Sequence, residues 1–275
     1  MSATIADHWA QGDVYPRILA ALKAAEKDLA ALTVEDLAPV DHFHARGFAA
    51  TVELGDALPP VAPDSHLLDV GCGLGGPARY FAQRFGCRIS GIDLTGPFVE
   101  AGQRLTGLLG LDDRVELRVG DAQALPYDDE TFDGGYAQHV TMNVPDRPAF
   151  FASAFRVLRP GGFLALTEHG RGPGRELHHP VPWSEDGSGE YLVTPEKTRE
   201  FLQDAGFVDI AVTDTGQDYL AAYRAMLSLA DSGALPPLGL HVLIGPSAIT
   251  KARNSVRNIE EGATRPIRVV CHKPS

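Results

Sequence analysis

The stretch LLDVGCGLGG, from Leu67 to Gly76, decides the fold of this 275-residue chain. An apolar strand ends within it, and Gly71, Gly73 and Gly76 follow before a segment of helical period. Glycines permit a tight turn and the close approach of a ligand to the backbone. A strand, a glycine loop and a helix in this order are typical of a nucleoside-binding site at the edge of a parallel sheet.

Short apolar runs alternate with segments of helical period on both sides of the glycine loop. Seven strands are predicted, at His66–Val70, Arg88–Asp93, Val115–Val119, Phe132–His139, Gly162–Thr167, Phe207–Val212 and Ile267–His272. The predicted connecting helices are Pro77–Phe85, Gly96–Leu109, Arg147–Leu158 and Pro195–Ala205. With right-handed crossovers, this pattern predicts an α/β fold: a doubly wound, mostly parallel seven-stranded sheet of Rossmann-like type.

Two regions lie outside the predicted sheet. Residues 1–60 are predicted to be an N-terminal helical cover, with helical patterning over Arg17–Leu32, and residues 61–275 a Rossmann-like domain. A helical insertion is predicted at about 215–264, before the last strand. Ligands bind where parallel strands end, so this insertion is placed to cover the site as a lid.

Charge and composition exclude several classes of protein. The formal charge is −12 and the pI about 5.2, which opposes binding to nucleic acid or to an anionic membrane. The three cysteines form no C-x-x-C pair, and neither a signal peptide nor a long apolar run is visible. We therefore expect a cytoplasmic protein.

Two carboxylates characterise the glycine-loop region. Asp93, 22 residues after Gly71, suits the ribose hydroxyls of either NAD or an adenosyl ligand. Asp69, two residues before Gly71, would repel a pyrophosphate and attract a sulfonium and an amino group. The residues favour an adenosyl sulfonium, and an NAD oxidoreductase is the weaker alternative.

The motifs LLDVGCGLGG, GIDL (Gly91–Leu94), GDA (Gly120–Ala122) and RVLRPGGFLAL (Arg156–Leu166), in this order, resemble those of class I S-adenosylmethionine-dependent methyltransferases. The resemblance implies S-adenosylmethionine as the cofactor. By position, it assigns to the cofactor Asp69, Gly71, Gly73, Asp93, Leu94, Asp121, Ala122 and Gln138.

A narrower resemblance comes from the flanking segments 41–51, 137–144, 179–183 and 238–246, which are similar to sarcosine and dimethylglycine N-methyltransferases. It implies methyl transfer to a small polar acceptor, an amine bearing a carboxylate, which Arg46 would clamp. The expected partner is this small molecule, and the chain is compatible with a homodimer. The alternatives are an O- or C-methyltransferase for an aromatic or natural-product acceptor, and a non-catalytic adenosyl-binding module.

His139 is the first catalytic candidate, because it ends the fourth strand and imidazole is the usual base near neutral pH. Asn143, which supplies an amide dipole nearby, is the second catalytic candidate. His44, Trp183 and His241 are candidates for the wall of the acceptor site, and Trp183 would suit a methylated ammonium by cation–π attraction.

Each of these residues has an alternative interpretation as a packed, hydrogen-bonded side chain. No metal site is predicted, since neither carboxylate nor cysteine stands at ligand spacing beside the adjacent His178 and His179.

Overall fold

The computed structural model describes residues 13–42, 44–174, 176–239, 241–245 and 247–275. Its strands are β1 His66–Val70, β2 Arg88–Asp93, β3 Val115–Val119, β4 Phe132–Gln138, β5 Leu158–Arg171, β6 Val208–Asp214 and β7 Thr264–His272. They form one sheet in the order β3-β2-β1-β4-β5-β7-β6. Strand β7 runs antiparallel to both of its neighbours, whereas the pairs from β3 to β5 are parallel.

Helices cover both faces and the carboxyl edge of the sheet. They are α1 Val14–Ala24, α2 Val34–Asp41, α3 Gly47–Ala57, α4 Gly76–Phe85, α5 Gly96–Leu108, α6 Arg147–Val157, α7 Pro195–Asp204, α8 Gly216–Asp231, α9 His241–Ile244 and α10 Ala248–Glu260. As the sequence indicates, Thr194 caps α7, its hydroxyl accepting from the Lys197 amide, and Pro195 is the first helical residue. Among the described helices, none has the length and apolar character needed to span a membrane.

The strand order reverses between β1 and β4, and this reversal positions the site. Asp69 of β1 is in register with Gly91 of β2 and with Tyr136 of β4. The carboxyl ends of three parallel strands therefore meet around the glycine loop, which is the usual ligand crevice of such sheets.

The core lies on both faces of this sheet. On one face, α6 and α7 pack Phe150, Phe151 and Leu202 against β4 and β5. On the other, Phe81 of α4 packs with Tyr136 of β4. Both faces of the central strands are buried, so these strands read as continuous apolar runs in the sequence.

The predicted fold class is confirmed, with differences in the bounds of several elements. Strand β5 does not end at Thr167 but continues to Arg171, because β7 pairs with it along the whole segment Phe163–Arg171. Helix α1 ends at Ala24 and not near Leu32, since Glu26 takes a left-handed backbone (φ 57°) and breaks the helical path. Parts of the predicted cover and of the flanking motifs, residues 1–12, 43, 240 and 246, lie outside the described residues.

Candidate active site

A cavity of about 620 Å³ lies over the carboxyl ends of β1, β2 and β4. We call it the main cavity. Its wall is completed by His44 and Ala45, which precede α3, by Pro182 and Trp183, and by Tyr223 of α8. Its size is in the range of small-molecule and cofactor sites.

The glycine loop forms the floor of the main cavity. Gly71 takes a left-handed backbone (φ 78°), its N–H donates to the Ile92 carbonyl at 2.7 Å, and a Cβ there would overlap Val140. A Cβ at Gly76 would lie 2.5 Å from the Asp41 carbonyl oxygen. Both positions require glycine, and the loop backbone consequently stays close to β2 and leaves the cavity above it open.

Asp69 is 2% exposed, and apart from the neighbouring Tyr136 hydroxyl its Oδ2 has no hydrogen-bond partner within the described protein. Burial, reinforced by the negative charge of Asp93, raises the pKa of Asp69 to about 8. A buried carboxylate oxygen on a cavity wall is costly unless a ligand satisfies it. A ligand with a cationic amino or sulfonium group fits this requirement.

Asp93 is held by backbone amides. Gly73 N–H donates to Oδ2 at 2.9 Å and Thr95 N–H to Oδ1 at 2.8 Å. These two bonds fix the carboxylate plane, and each oxygen keeps acceptor capacity for a ligand hydroxyl. Burial raises the pKa of Asp93, against the effect of the two amides.

The remaining residues assigned to the cofactor also line the main cavity, namely Leu94, Asp121, Ala122 and Gln138. Asp121 Oδ1 accepts a hydrogen bond from the backbone N–H of Gln123 at 2.9 Å and so caps the short helix Ala122–Ala124. Gln138 accepts from the Thr51 hydroxyl at 3.2 Å, while its buried Nε2 has no described partner.

The main cavity is strongly acidic. Its described lining contains five carboxylates and neither Lys nor Arg; the carboxylates are Asp41, Asp69, Asp93, Asp121 and Asp146. Asp41 is compensated, since it is fully buried against Arg79 at 2.8 Å and His42 at 2.8 Å. The potential inside the cavity favours a cation over a phosphate.

His139 lines the cavity in an unusual backbone conformation. It has a left-handed φ of 59°, stabilised by its N–H donating to the Thr167 carbonyl at 2.8 Å. Its Nε2 lies 2.5 Å from the Tyr219 hydroxyl of α8. Burial, together with the neighbouring His169 and His44, lowers the pKa of His139 well below its ordinary value. The ring is therefore neutral, and the tyrosine hydroxyl donates to it.

Aromatic rings surround His139. His44 stacks on it with centroids 5.7 Å apart, and His169 of β5 lies at 5.5 Å. Trp183 packs on His169 at 4.7 Å. Burial lowers the pKa of His44 and of His169 to about 3, so these rings are also neutral.

Asn143 and Trp183 both line the cavity, and hydrogen bonds hold them in place. Asn143 Nδ2 donates to the carbonyls of Trp183 at 3.0 Å and Gly189 at 2.9 Å. Trp183 Nε1 donates to Glu190 at 2.8 Å. The amide of Asn143 is thus committed to the segment that carries Trp183, which gives it a positioning role.

Arg46 and His241 do not line the main cavity. The Arg46 guanidinium pairs with Glu53 and lies over the Tyr219 ring, 5.5 Å from its centroid. His241 lines a second, smaller cavity of about 180 Å³.

Sequence reasoning missed His169, Tyr219 and Tyr223. His169 is 0% exposed, lines the main cavity, and neither ring nitrogen has a described partner. It follows the predicted end of the fifth strand by two residues, so extending that strand would have placed it at the ligand edge. The tyrosines are four residues apart on α8, the spacing that puts two side chains on one helix face.

A buried network supports this edge of the site. Glu168, 0% exposed, accepts from Arg147 at 2.7 Å, from Thr198 at 2.6 Å and from the Thr141 hydroxyl. Through its hydrogen bond with Thr141, Glu168 holds the short helix Thr141–Asn143 in place. Its position next to His169 in β5 fixes the strand end that carries the ring.

Comparison with known proteins places this arrangement in a family. Residues 68–166, which contain the glycine loop and Asp69, Asp93, Asp121 and His139, match the family model described as a methyltransferase domain. Residues 68–166 form a methyltransferase domain. The predicted family and S-adenosylmethionine as its cofactor are thereby confirmed.

The relatives of the methyltransferase domain include two kinds of N-methyltransferase. The phosphoethanolamine N-methyltransferase of Triticum aestivum is 32% identical over 182 residues, which are 66% of this chain and 35% of that protein. The sarcosine/dimethylglycine N-methyltransferase of Halorhodospira halochloris is 32% identical over 154 residues, 56% of this chain and 55% of that protein. The chain spans about a third to a half of the length of these relatives.

A solved structure shares the fold. Phosphoethanolamine N-methyltransferase 2 of Haemonchus contortus, in complex with phosphomonomethylethanolamine and S-adenosylhomocysteine, superposes with a TM-score of 0.74 at 21% identity. The match covers 86% of this chain and 55% of that one. At this identity the match shows that the two proteins share a fold.

Proposed function

We propose that this protein methylates the nitrogen of a small-molecule amine, with S-adenosylmethionine as the donor. One observation carries the proposal. The described lining of the main cavity combines carboxylates with neutral aromatic rings and contains no Lys or Arg. Such a lining suits a methyl donor that is a cation and a product that is a methylated ammonium.

The donor side is supplied by the glycine loop and the strand ends. Asp69 would hold the amino group of S-adenosylmethionine, Asp93 the ribose hydroxyls, and Leu94 and Asp121 the adenine. When bound, S-adenosylmethionine supplies a methyl carbon activated by a positively charged sulfur. The buried Oδ2 of Asp69 is the feature of this chain that fits that ligand.

The acceptor side is supplied by His44, His139, His169 and Trp183. Trp183 would stabilise by cation–π attraction the positive charge that develops on the acceptor nitrogen during transfer, and the neutral imidazoles do not oppose that charge. Their packing also excludes water from the line of displacement.

His139 orients the acceptor and acts only weakly as a base. Its neutral ring accepts from Tyr219 at Nε2, so Nδ1 carries the proton and can donate a hydrogen bond to a polar group of the acceptor. Because its pKa is well below neutrality, it gives little driving force for removing a proton from a hydroxyl. This difference favours an amine, which needs no strong base once it is neutral, over a phenol or an alcohol.

For the carboxylate implied by the sarcosine/dimethylglycine resemblance, Arg46 is the candidate partner. It would have to exchange the half-exposed Glu53 for the acceptor. Arg46→Ala should then raise KM for dimethylglycine but not for N,N-dimethylethylamine. Equal effects on both amines would remove the carboxylate from the proposal.

An acceptor panel with labelled S-adenosylmethionine tests the whole proposal. We expect transfer to dimethylglycine or simple dimethylamines, and little to phosphoethanolamine, whose phosphate would enter an acidic cavity. Transfer to catechols or carbon acceptors alone would refute N-methylation. Tight binding of S-adenosylhomocysteine without turnover on any acceptor would indicate a non-catalytic adenosyl-binding module.

Trp183→Leu, with Trp183→Phe as the matched control, tests the aromatic wall. Loss of the ring should raise KM for the amine by roughly 2- to 30-fold, from a cation–π contribution of about 0.5–2 kcal/mol, and Phe should recover part of it. Identical behaviour of the two variants would assign Trp183 to packing alone.

A further inference from the structure

The second cavity, which we call the side cavity, adjoins the acceptor end of the main cavity. Both cavities are lined by Ala45, Pro182 and Tyr223. These shared side chains therefore separate the side cavity from a group bound against Trp183 and His139. A substituent on the acceptor that enters the side cavity must pass between these shared side chains.

The lining of the side cavity is mostly hydrocarbon. Helix α8 contributes Met226 and Leu229, the segment after it Leu235 and Pro236, and α10 contributes Ile249 and Ala252. Leu229 is 46% exposed, which is unusual for a large apolar side chain beside a cavity. Apolar surface of this kind gains free energy when an apolar group covers it.

The polar groups of the side cavity do not change this chemistry. Lys251 lines it, but its ammonium is paired with Glu185 at 2.5 Å, so its charge is already compensated. His241 contributes a ring beside Gly239. An alkyl or isoprenoid group fits these surroundings better than a charged one, because most of the lining is hydrocarbon and a charge would lose its hydration there.

We infer that the acceptor carries an apolar tail, which the side cavity holds while the amine nitrogen lies against the rings of the main cavity. The inference rests on the proposed N-methylation and specifies its substrate class: an amphiphilic amine. It also gives His241 a place in substrate binding, beside the tail and away from the reacting nitrogen.

The test uses N,N-dimethylalkylamines with ethyl, butyl, hexyl and octyl chains. Their dissociation constants are measured by calorimetry on the full chain saturated with S-adenosylhomocysteine. Each buried methylene should tighten binding roughly fourfold until the side cavity is filled, which corresponds to about 0.8 kcal/mol per methylene. Affinity that does not change with chain length would overturn the inference.

Two variants and one control locate the effect. Leu229→Arg changes an exposed position, and Ala252→Phe fills the side cavity. Both should weaken binding of the octyl amine at least tenfold and leave the affinity for the ethyl amine unchanged. Leu108→Arg changes another exposed leucine, 38% exposed at the end of α5, that lines neither cavity, and should keep the wild-type dependence of affinity on chain length. If affinity rises with chain length as steeply in Leu229→Arg as in Leu108→Arg, the tail binds elsewhere and the assignment is refuted.

The proposed function and this inference fail separately. Methylation of N,N-dimethylethylamine without any gain from longer chains leaves N-methylation standing and removes the tail site. Chain-length-dependent binding with no transfer to any amine leaves the tail site standing and removes N-methylation.

Discussion

The buried carboxylate of Asp69 should make the affinity for S-adenosylmethionine depend on pH, and Asp69→Asn should abolish that dependence. With a pKa of about 8 in the free protein, Asp69 is mostly protonated at neutral pH. The cationic ligand binds the ionised form. Affinity must therefore rise as pH rises toward 8, with a proton released on binding.

The magnitude follows from the ionised fraction. Between pH 6.0 and 7.5 this fraction of Asp69 rises from about 1% to about 24%, so the dissociation constant should fall roughly 25-fold. The rings of the cavity do not contribute, because the pKa values of His44 and His169 are about 3 and that of His139 is also well below this range. At pH 7, about 0.9 proton should leave per ligand bound.

Calorimetry in two buffers of different ionisation enthalpy measures both quantities. Asp69→Asn should bind weakly at every pH and release almost no proton, whereas Asp121→Asn, which retains Asp69 in the same cavity, should keep the wild-type slope. If wild-type affinity is flat from pH 6.0 to 7.5, or if Asp69→Asn keeps the slope, the assignment of Asp69 to the cationic end of the ligand is wrong.

Three further substitutions have defined outcomes. Asp93→Ala should weaken S-adenosylhomocysteine binding by at least about 1 kcal/mol in calorimetry, since the ribose hydroxyls lose a charged acceptor; unchanged affinity would argue against the ribose role. Tyr219→Phe should lower kcat for the amine while leaving S-adenosylhomocysteine affinity intact, because only His139 loses its hydrogen bond; loss of both would indicate a collapsed site. Glu168→Gln leaves Arg147 as a buried, uncompensated charge and should cost about 3–5 kcal/mol in urea unfolding with an unchanged m value; a cost below about 1 kcal/mol would contradict the buried-pair interpretation.

The strand ends were predictable because their signals are local. Short segments rich in Val, Leu and Ile that end in or next to glycine or aspartate predict β1, β2 and β3 with the bounds that the structure has. Strand β5 was predicted too short, because Glu168 and His169, two residues near its end, are polar. They are strand residues because β7, a hundred positions later, pairs with them.

The acceptor site was predictable only in part. His139 was found because it ends a strand, but its partner Tyr219 comes from a helix 80 residues away. Arg46 was expected to bind the carboxylate of the acceptor. In the structure its guanidinium pairs with Glu53, which lies about two turns along α3. The local sequence does not determine which of two nearby groups a long side chain will bind.

What the sequence by itself determined is the donor half of the site. Asp69 and Asp93 stand at the ends of their strands, and the glycines and Asp121 come directly after theirs. Because parallel strands end at a common edge, local order is enough to bring these residues together. The ring cluster around His139 and the side cavity were decided by tertiary structure alone. They are assembled from the cover, β5 and the insertion, whose contacts depend on the packing of segments far apart in the chain.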